Sequence, residues 1–130
     1  IHYFSRWVTP LGAPRRYDTR FFVAAAPEGQ VALHDDAEVI ATRWLTPATA
    51  LADQEAARIT MIFPTIRTMI ELAKFDSAAQ VLEHAAMQTV ITPMLPFMKD
   101  FGAGLRIVLP GTTDHPSGIY DAMTAQPVAD

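Results

Sequence analysis

The hydrophobic period of this chain changes once along its length, and that change constrains the fold more than any other feature. Before Thr46-Pro47 the apolar residues alternate with polar ones; after it they recur at helical spacing. Ile1 to Val8 sets Tyr3, Ser5 and Trp7 against His2, Phe4, Arg6 and Val8. A second strand is expected over Arg15 to Ala25, with Tyr17, Thr19, Phe21 and Val23 on one face and Arg16, Asp18, Arg20 and Phe22 on the other. Val31 to Leu33 is a short edge piece, and a third strand is expected from Glu38 to Leu45. Between these runs, Thr9 to Pro14, Pro27 to Gln30 and His34-Asp35-Asp36 are turns.

Thr46-Pro47 opens the helical half, with Thr as cap and Pro at the first helical position. A helix follows over Ala48 to Ala57, then a short extended link over Arg58 to Phe63. A second helix starts at Pro64-Thr65 with Ile66, Met69, Ile70 and Ala73 on one face. A third is capped by Ser77 and directs Val81, Leu82, Ala85 and Ala86 inward. Thr92 to Pro96 breaks the pattern, Leu105 to Leu109 is a last strand, and residues from Gly111 onward are expected as loop and tail. Strands followed by helices predict an α+β fold, with helices packed on a sheet. Phe21-Phe22 and Val39-Ile40 point apolar groups to both faces of that sheet, which therefore needs cover on both sides.

Composition excludes several functions. At 130 residues with 50% hydrophobic and 18% charged side chains, the chain suits one folded domain and not a disordered segment. Apolar runs such as Phe21 to Pro27 fall far short of the ~20 residues that a membrane-spanning helix requires. The absence of Cys removes disulfides, thiolate metal sites and thiol nucleophiles. A net charge of −4 offers no basic surface for nucleic acid. The eight Arg against two Lys, 21 Ala and no Asn suggest a GC-biased, bacterial coding sequence. No secretory leader is visible at the start, so a cytoplasmic location is expected.

Two clusters carry possible chemistry. Arg16, Asp18 and Arg20 stand at alternate positions, so their heads line one strand face roughly 7 Å apart. They form either an ion-pair chain on a solvated face or a guanidinium grip on a phosphate. His34-Asp35-Asp36 with Glu38 offers hard oxygens for Mg²⁺ or Mn²⁺ and a carboxylate base at Glu38, or simply a turn. The other histidines are scattered, with no HExxH pair, and no G-x-S-x-G elbow presents a serine. Gly102-Ala103-Gly104 follows no expected strand and opens no helix, so it is no phosphate cradle. The six Met residues are expected as core filler. By itself the chain contains no complete catalytic constellation.

One ordered set of residues goes further. Phe4-Ser5-Arg6-Trp7-Val8-Thr9-Pro10 precedes Arg16-Tyr17-Asp18-Thr19-Arg20-Phe21-Phe22; Asp36-x-Glu38, Arg43-Trp44-Leu45-Thr46-Pro47-x-x-Ala50-Leu51 and Pro64-Thr65 follow. Together they resemble the segment downstream of the signature box in Nudix hydrolases, and in particular the coenzyme A diphosphatase-like branch. The likeness runs from Phe4 to Phe75, with an echo at Ile91-Thr92-Pro93 and Leu109-Pro110-Gly111. The box itself, G-x5-E-x7-R-E-U-x-E-E-x-G-U, is absent: there is no Arg-Glu and no Glu-Glu pair.

The resemblance implies a Nudix-like mixed sheet with helices packed on it, lacking its first half. Residues 1–110 would be the C-terminal portion of that domain and 111–130 loop and tail. The missing Met at Ile1 and the under-covered sheet fit the same expectation. The implied activity is cleavage of a pyrophosphate bond in a nucleoside diphosphate derivative, with coenzyme A or an acyl ester of it favoured. Mg²⁺ or Mn²⁺ would be held by residues outside this chain. Arg16, Arg20 and Asp18 become substrate-binding candidates, Glu38 a base candidate, and Trp44 is expected in the core. Implied partners are a nucleotide-type small molecule and either a complementary N-terminal segment or a second copy; neither nucleic acid nor membrane is expected. The alternatives are a non-catalytic domain that binds a nucleotide or a protein, and an oligomerisation module.

Overall fold

The structure is a computed structural model that describes residues 1–39, 41–102, 104–109 and 117–128. Eight elements follow in chain order: β1 (His2–Val8), β2 (Asp18–Val23), α1 (Pro47–Glu55), α2 (Phe63–Leu72), α3 (Ala78–Met87), β3 (Phe97–Asp100), β4 (Leu105–Val108) and β5 (Ile119–Asp121). The architecture is α+β, as the change of period predicts.

Aromatic and β-branched residues at alternate positions make β1 and β2 an antiparallel hairpin, with Arg6 opposite Arg20 and Val8 opposite Asp18. Its loop is closed at the base by Thr9, whose N–H donates to the Tyr17 carbonyl (2.9 Å) and whose Oγ1 accepts from the Tyr17 N–H (2.9 Å). Pairing slips between Tyr3 and Ser5, which marks a bulge. The second sheet has the order β3-β4-β5 and is also antiparallel. An isolated parallel bridge pairs Trp7 in β1 with Met94, ahead of β3: Met94 N–H donates to the Arg6 carbonyl (2.8 Å), and Val8 N–H donates to the Met94 carbonyl (3.0 Å).

The starts of α1 and α3 follow their caps. Thr46 Oγ1 accepts from Thr49 N–H (3.1 Å) ahead of Pro47, and Ser77 Oγ accepts from Gln80 N–H (3.3 Å). In α2 the residues Phe63, Ile66 and Arg67 share the buried face. They meet Trp7, Ile107, Leu109, Tyr120 and Ala125 in one core, with Phe21, Leu51, Met61 and Met94 packed around it. Trp7 and Tyr120 both present edges to Phe63, at 6.0 and 6.2 Å between ring centroids.

Several expectations are corrected. Glu38–Leu45 forms no strand among its described residues; Ile40 lies outside them. The reason is upstream. The Asp35 carboxylate accepts from the N–H groups of Val39 (2.8 Å) and Ala37 (3.2 Å), and Asp36 N–H turns back to the Val39 carbonyl (3.1 Å) with φ at +57°. That turn uses the backbone groups a ladder would need. Val31–Leu33 likewise has no strand partner among the described residues. Trp44 is 76% exposed, not in the core, since there is no third strand to carry its ring inward. Ala86, Met87 and Met123 also face solvent. Conversely, β3 follows the Pro-rich break, and β5 lies where only loop and tail are expected. The echo at Pro110-Gly111 and the central Gly102-Ala103-Gly104 residue fall outside the described residues. No helix is long and apolar enough among the described residues to cross a membrane.

Candidate functional site

The hairpin gathers the charged ladder, but not as three heads in a row. Strand pairing brings Arg6 across to Asp18, a contact that spacing along one strand does not reveal. Arg6 Nε and Nη2 donate to the two Asp18 oxygens at 2.8 and 2.7 Å. This bidentate hydrogen bonding, with the Arg6 charge behind it, holds the Asp18 carboxyl below its ordinary range. Arg20 Nη2 stands 3.7 Å from Asp18, a looser contact, and its side chain remains half in solvent. Arg16 leaves the ladder: its Nε donates to the Thr9 carbonyl at 3.1 Å, at the mouth of the hairpin loop. Asp18 is therefore the hub of an ion pair, while Arg16 and Arg20 are the guanidinium groups left on the open surface.

Glu38 lies in the turn after Asp35 and is exposed. Its neighbours are committed to that turn: His34 Nε2 reaches Asp36 at 3.0 Å, and backbone N–H donors, Val39 foremost, lower the Asp35 pKa. Among the described residues Glu38 makes no hydrogen bond or ion pair with Arg16, Asp18 or Arg20.

One buried carboxylate escapes notice in the sequence. Asp53 in α1 is only 4% exposed, accepting from Arg58 at 2.7–2.8 Å and from Arg43 at 3.1 Å. The Arg58 hydrogen bond is the main cause that lowers its pKa. Through Arg43 it ties the irregular segment before α1 to the helix, next to Trp44. Its Leu51-Ala52-Asp53 context carries no pattern that would announce a buried acid.

Trp44 and Phe22 (56% exposed) border an apolar groove of about 720 Å³ that runs between the end of β2 and the starts of α1 and α3. Leu45, Leu72, Phe75 and Leu82 also line it, and Asp76 is its one ionisable side chain. On β2, Arg20 and Phe22 are two residues apart on the exposed face, so the charged surface runs directly into the apolar groove.

The resemblance implies a divalent metal centre. No group of three His, Asp or Glu comes together among the described residues. The well-placed carboxylates are already committed: Asp18 to Arg6, Asp53 to Arg58 and Arg43, and Asp121 to backbone N–H donors and Arg106. The described residues do not fit a Mg²⁺ or Mn²⁺ centre.

Comparison with known proteins gives one distant relation. The chain is 28% identical over 115 residues to the human acyl-coenzyme A diphosphatase NUDT19. The alignment covers 85% of this chain and 31% of the relative, so the chain spans about a third of that protein's length. The likeness supports a Nudix-type relation at a distance. No family model matches the chain, and no solved structure does.

Proposed function

We propose that this chain is the substrate-gripping portion of a Nudix-type hydrolase that cleaves a pyrophosphate bond in a nucleoside diphosphate derivative, with coenzyme A or an acyl-coenzyme A as substrate. The observation that carries this reading is the adjacency of Arg20 and Phe22 on the exposed face of β2. A guanidinium beside an apolar groove suits a molecule with phosphates at one end and an apolar arm at the other. The similarity to a protein named acyl-coenzyme A diphosphatase supports the same substrate class.

In this reading Arg20 and Arg16 hold phosphate oxygens. Asp18 is a positioning residue: it keeps Arg6 and Arg20 on one side of the hairpin. Phe22 and Trp44 cover the apolar arm, and Asp53 holds Trp44 in place through Arg43. Glu38 is the base candidate, exposed in the turn after Asp35. Divalent metal chemistry would come from residues other than those described.

Isothermal titration of coenzyme A and octanoyl-coenzyme A tests this. Arg20→Glu is expected to weaken both ligands at least tenfold, whereas Trp44→Ala weakens the acyl form more than the free form. Equal binding by wild type and Arg20→Glu overturns the reading. The second reading, a non-catalytic nucleotide-binding domain, is favoured by the lack of a fit for metal among the described residues. It predicts the same binding but no release of 3′,5′-ADP in any assembly containing the chain.

A further inference from the structure

The outer edge of β2 is open. Val8 N–H and the Arg6 carbonyl turn away from β2 to Met94, so the backbone groups of Trp7 and Thr9 face β2, opposite Thr19 and Tyr17. Backbone direction alternates along a strand, which leaves the N–H and C=O groups of Asp18, Arg20 and Phe22 on the far side of β2. Among the described residues that side has no neighbouring strand, and no backbone hydrogen bond reaches these groups. An edge of this kind is a template for another strand.

The side chains along the edge decide which strand fits. Arg20 stands directly opposite Arg6 in the hairpin, a like-charge pair that works against the ladder. Its contact with Asp18 is loose at 3.7 Å, and its side chain is 52% exposed. What the edge lacks is a carboxylate directly opposite Arg20 on the open side. A second β2 supplies one. Two copies paired antiparallel about a two-fold axis through Thr19 set Asp18 of each opposite Arg20 of the other. The Asp18 carboxylate is held by Arg6, yet its two oxygens keep lone pairs for a second guanidinium. The same register sets Arg16 opposite Phe22, a cation against an aromatic ring, and Tyr17 opposite Phe21. Centring the pair on Asp18 or Arg20 opposes like charges instead, and centring it on Phe21 sets Arg20 against Phe22.

We propose that two copies of this chain associate edge to edge through β2, antiparallel and centred on Thr19, and extend the hairpin into a four-stranded sheet. The pairing brings Arg16 of the second copy beside Phe22 and does not depend on the hydrolase reading. So short an edge buries little area, and the association is therefore weak and concentration-dependent.

The chain has no Cys, so Thr19→Cys adds a single thiol. In the proposed register two such thiols meet at the axis, where non-hydrogen-bonded partners have Cα atoms roughly 4.5 Å apart, within disulfide range. Mild oxidation of the 130-residue chain, read on a non-reducing gel, is expected to link Thr19→Cys at least tenfold faster than Phe22→Cys, an exposed position that faces Arg16 instead. Sedimentation of the unsubstituted chain is expected to show a monomer–dimer equilibrium. Arg20→Asp, which opposes Asp to Asp18, weakens that equilibrium at least tenfold, with circular dichroism checking that the variant folds. If it does not fold, the cysteine comparison decides alone. Equal cross-linking at the two positions overturns the proposal. So does a chain that stays monomeric at every concentration, or a dimer that a folded Arg20→Asp leaves unchanged.

Discussion

Tyr120 stands edge-on to Phe63, with ring centroids 6.2 Å apart and planes at 73°, so the last strand closes over the start of α2. Tyr120 is completely buried, and Arg67 lies over its ring. The final segment thus completes the core that Trp7 begins. Tyr120→Ala is expected to destabilise the chain by about 3–5 kcal/mol, as for other buried aromatic truncations, read from urea unfolding. Met123→Ala, a solvent-facing change nearby, should stay within about 0.5 kcal/mol. A Tyr120→Ala loss no larger than that of Met123→Ala would show that the C-terminal strand is not part of the cooperative core.

Acid should unfold the chain through four aspartates. Asp18, Asp35, Asp53 and Asp121 all have pKa values lowered in the folded state. The leading causes are, in turn, the Arg6 hydrogen bond, the Val39 N–H, the Arg58 hydrogen bond and the Thr124 N–H. A group with a depressed folded pKa contributes stability above its unfolded value, about 3.9 for Asp, and loses it as pH falls through the folded value. The Tm should therefore be flat on this account between about pH 5 and 7 and fall below about pH 4. Asp53→Asn should lower the neutral-pH Tm and shrink the acid drop. An acid drop of the same size in Asp53→Asn and wild type would remove Asp53 from this set.

Much of the fold is legible in residue order. The caps Thr46 and Ser77 place two helix starts, and alternation places β1 and β2, because these signals act within a few residues. Long-range features are not legible. The Arg6–Asp18 pair depends on strand register, twelve residues apart in sequence. Glu38 to Leu45 alternates as a strand should, yet the Asp35 turn takes the N–H and the carbonyl of Val39, and Asp53 takes Arg43. The strand β5 is only three residues long and too short to show a period; its burial is set by Phe63 and Arg67. Of the candidate site, Arg16, Asp18 and Arg20 are visible as charged residues at alternate positions. The groove beside Phe22 depends on Trp44 staying outside, which the alternation of its own segment argues against.

The start of α1 borders the apolar groove, so its cap links stability to binding. Thr46→Ala removes the oxygen that accepts from Thr49 N–H and should cost about 1 kcal/mol. Thr46→Ser retains the hydroxyl and should restore most of it. Urea unfolding of the two variants checks the difference; equal losses would assign the effect to the Thr methyl group, not the cap.

The central claim is that the Arg16–Arg20 surface and the adjoining groove grip a nucleoside diphosphate derivative. Its most direct test is a titration of the ¹⁵N-labelled chain with coenzyme A, following backbone and Trp side-chain amide shifts. The account predicts saturable shifts concentrated at Arg16, Arg20, Phe22 and the Trp44 indole, with the core indole of Trp7 little moved. Shifts that spare β2 and Trp44, or that never saturate, would contradict it.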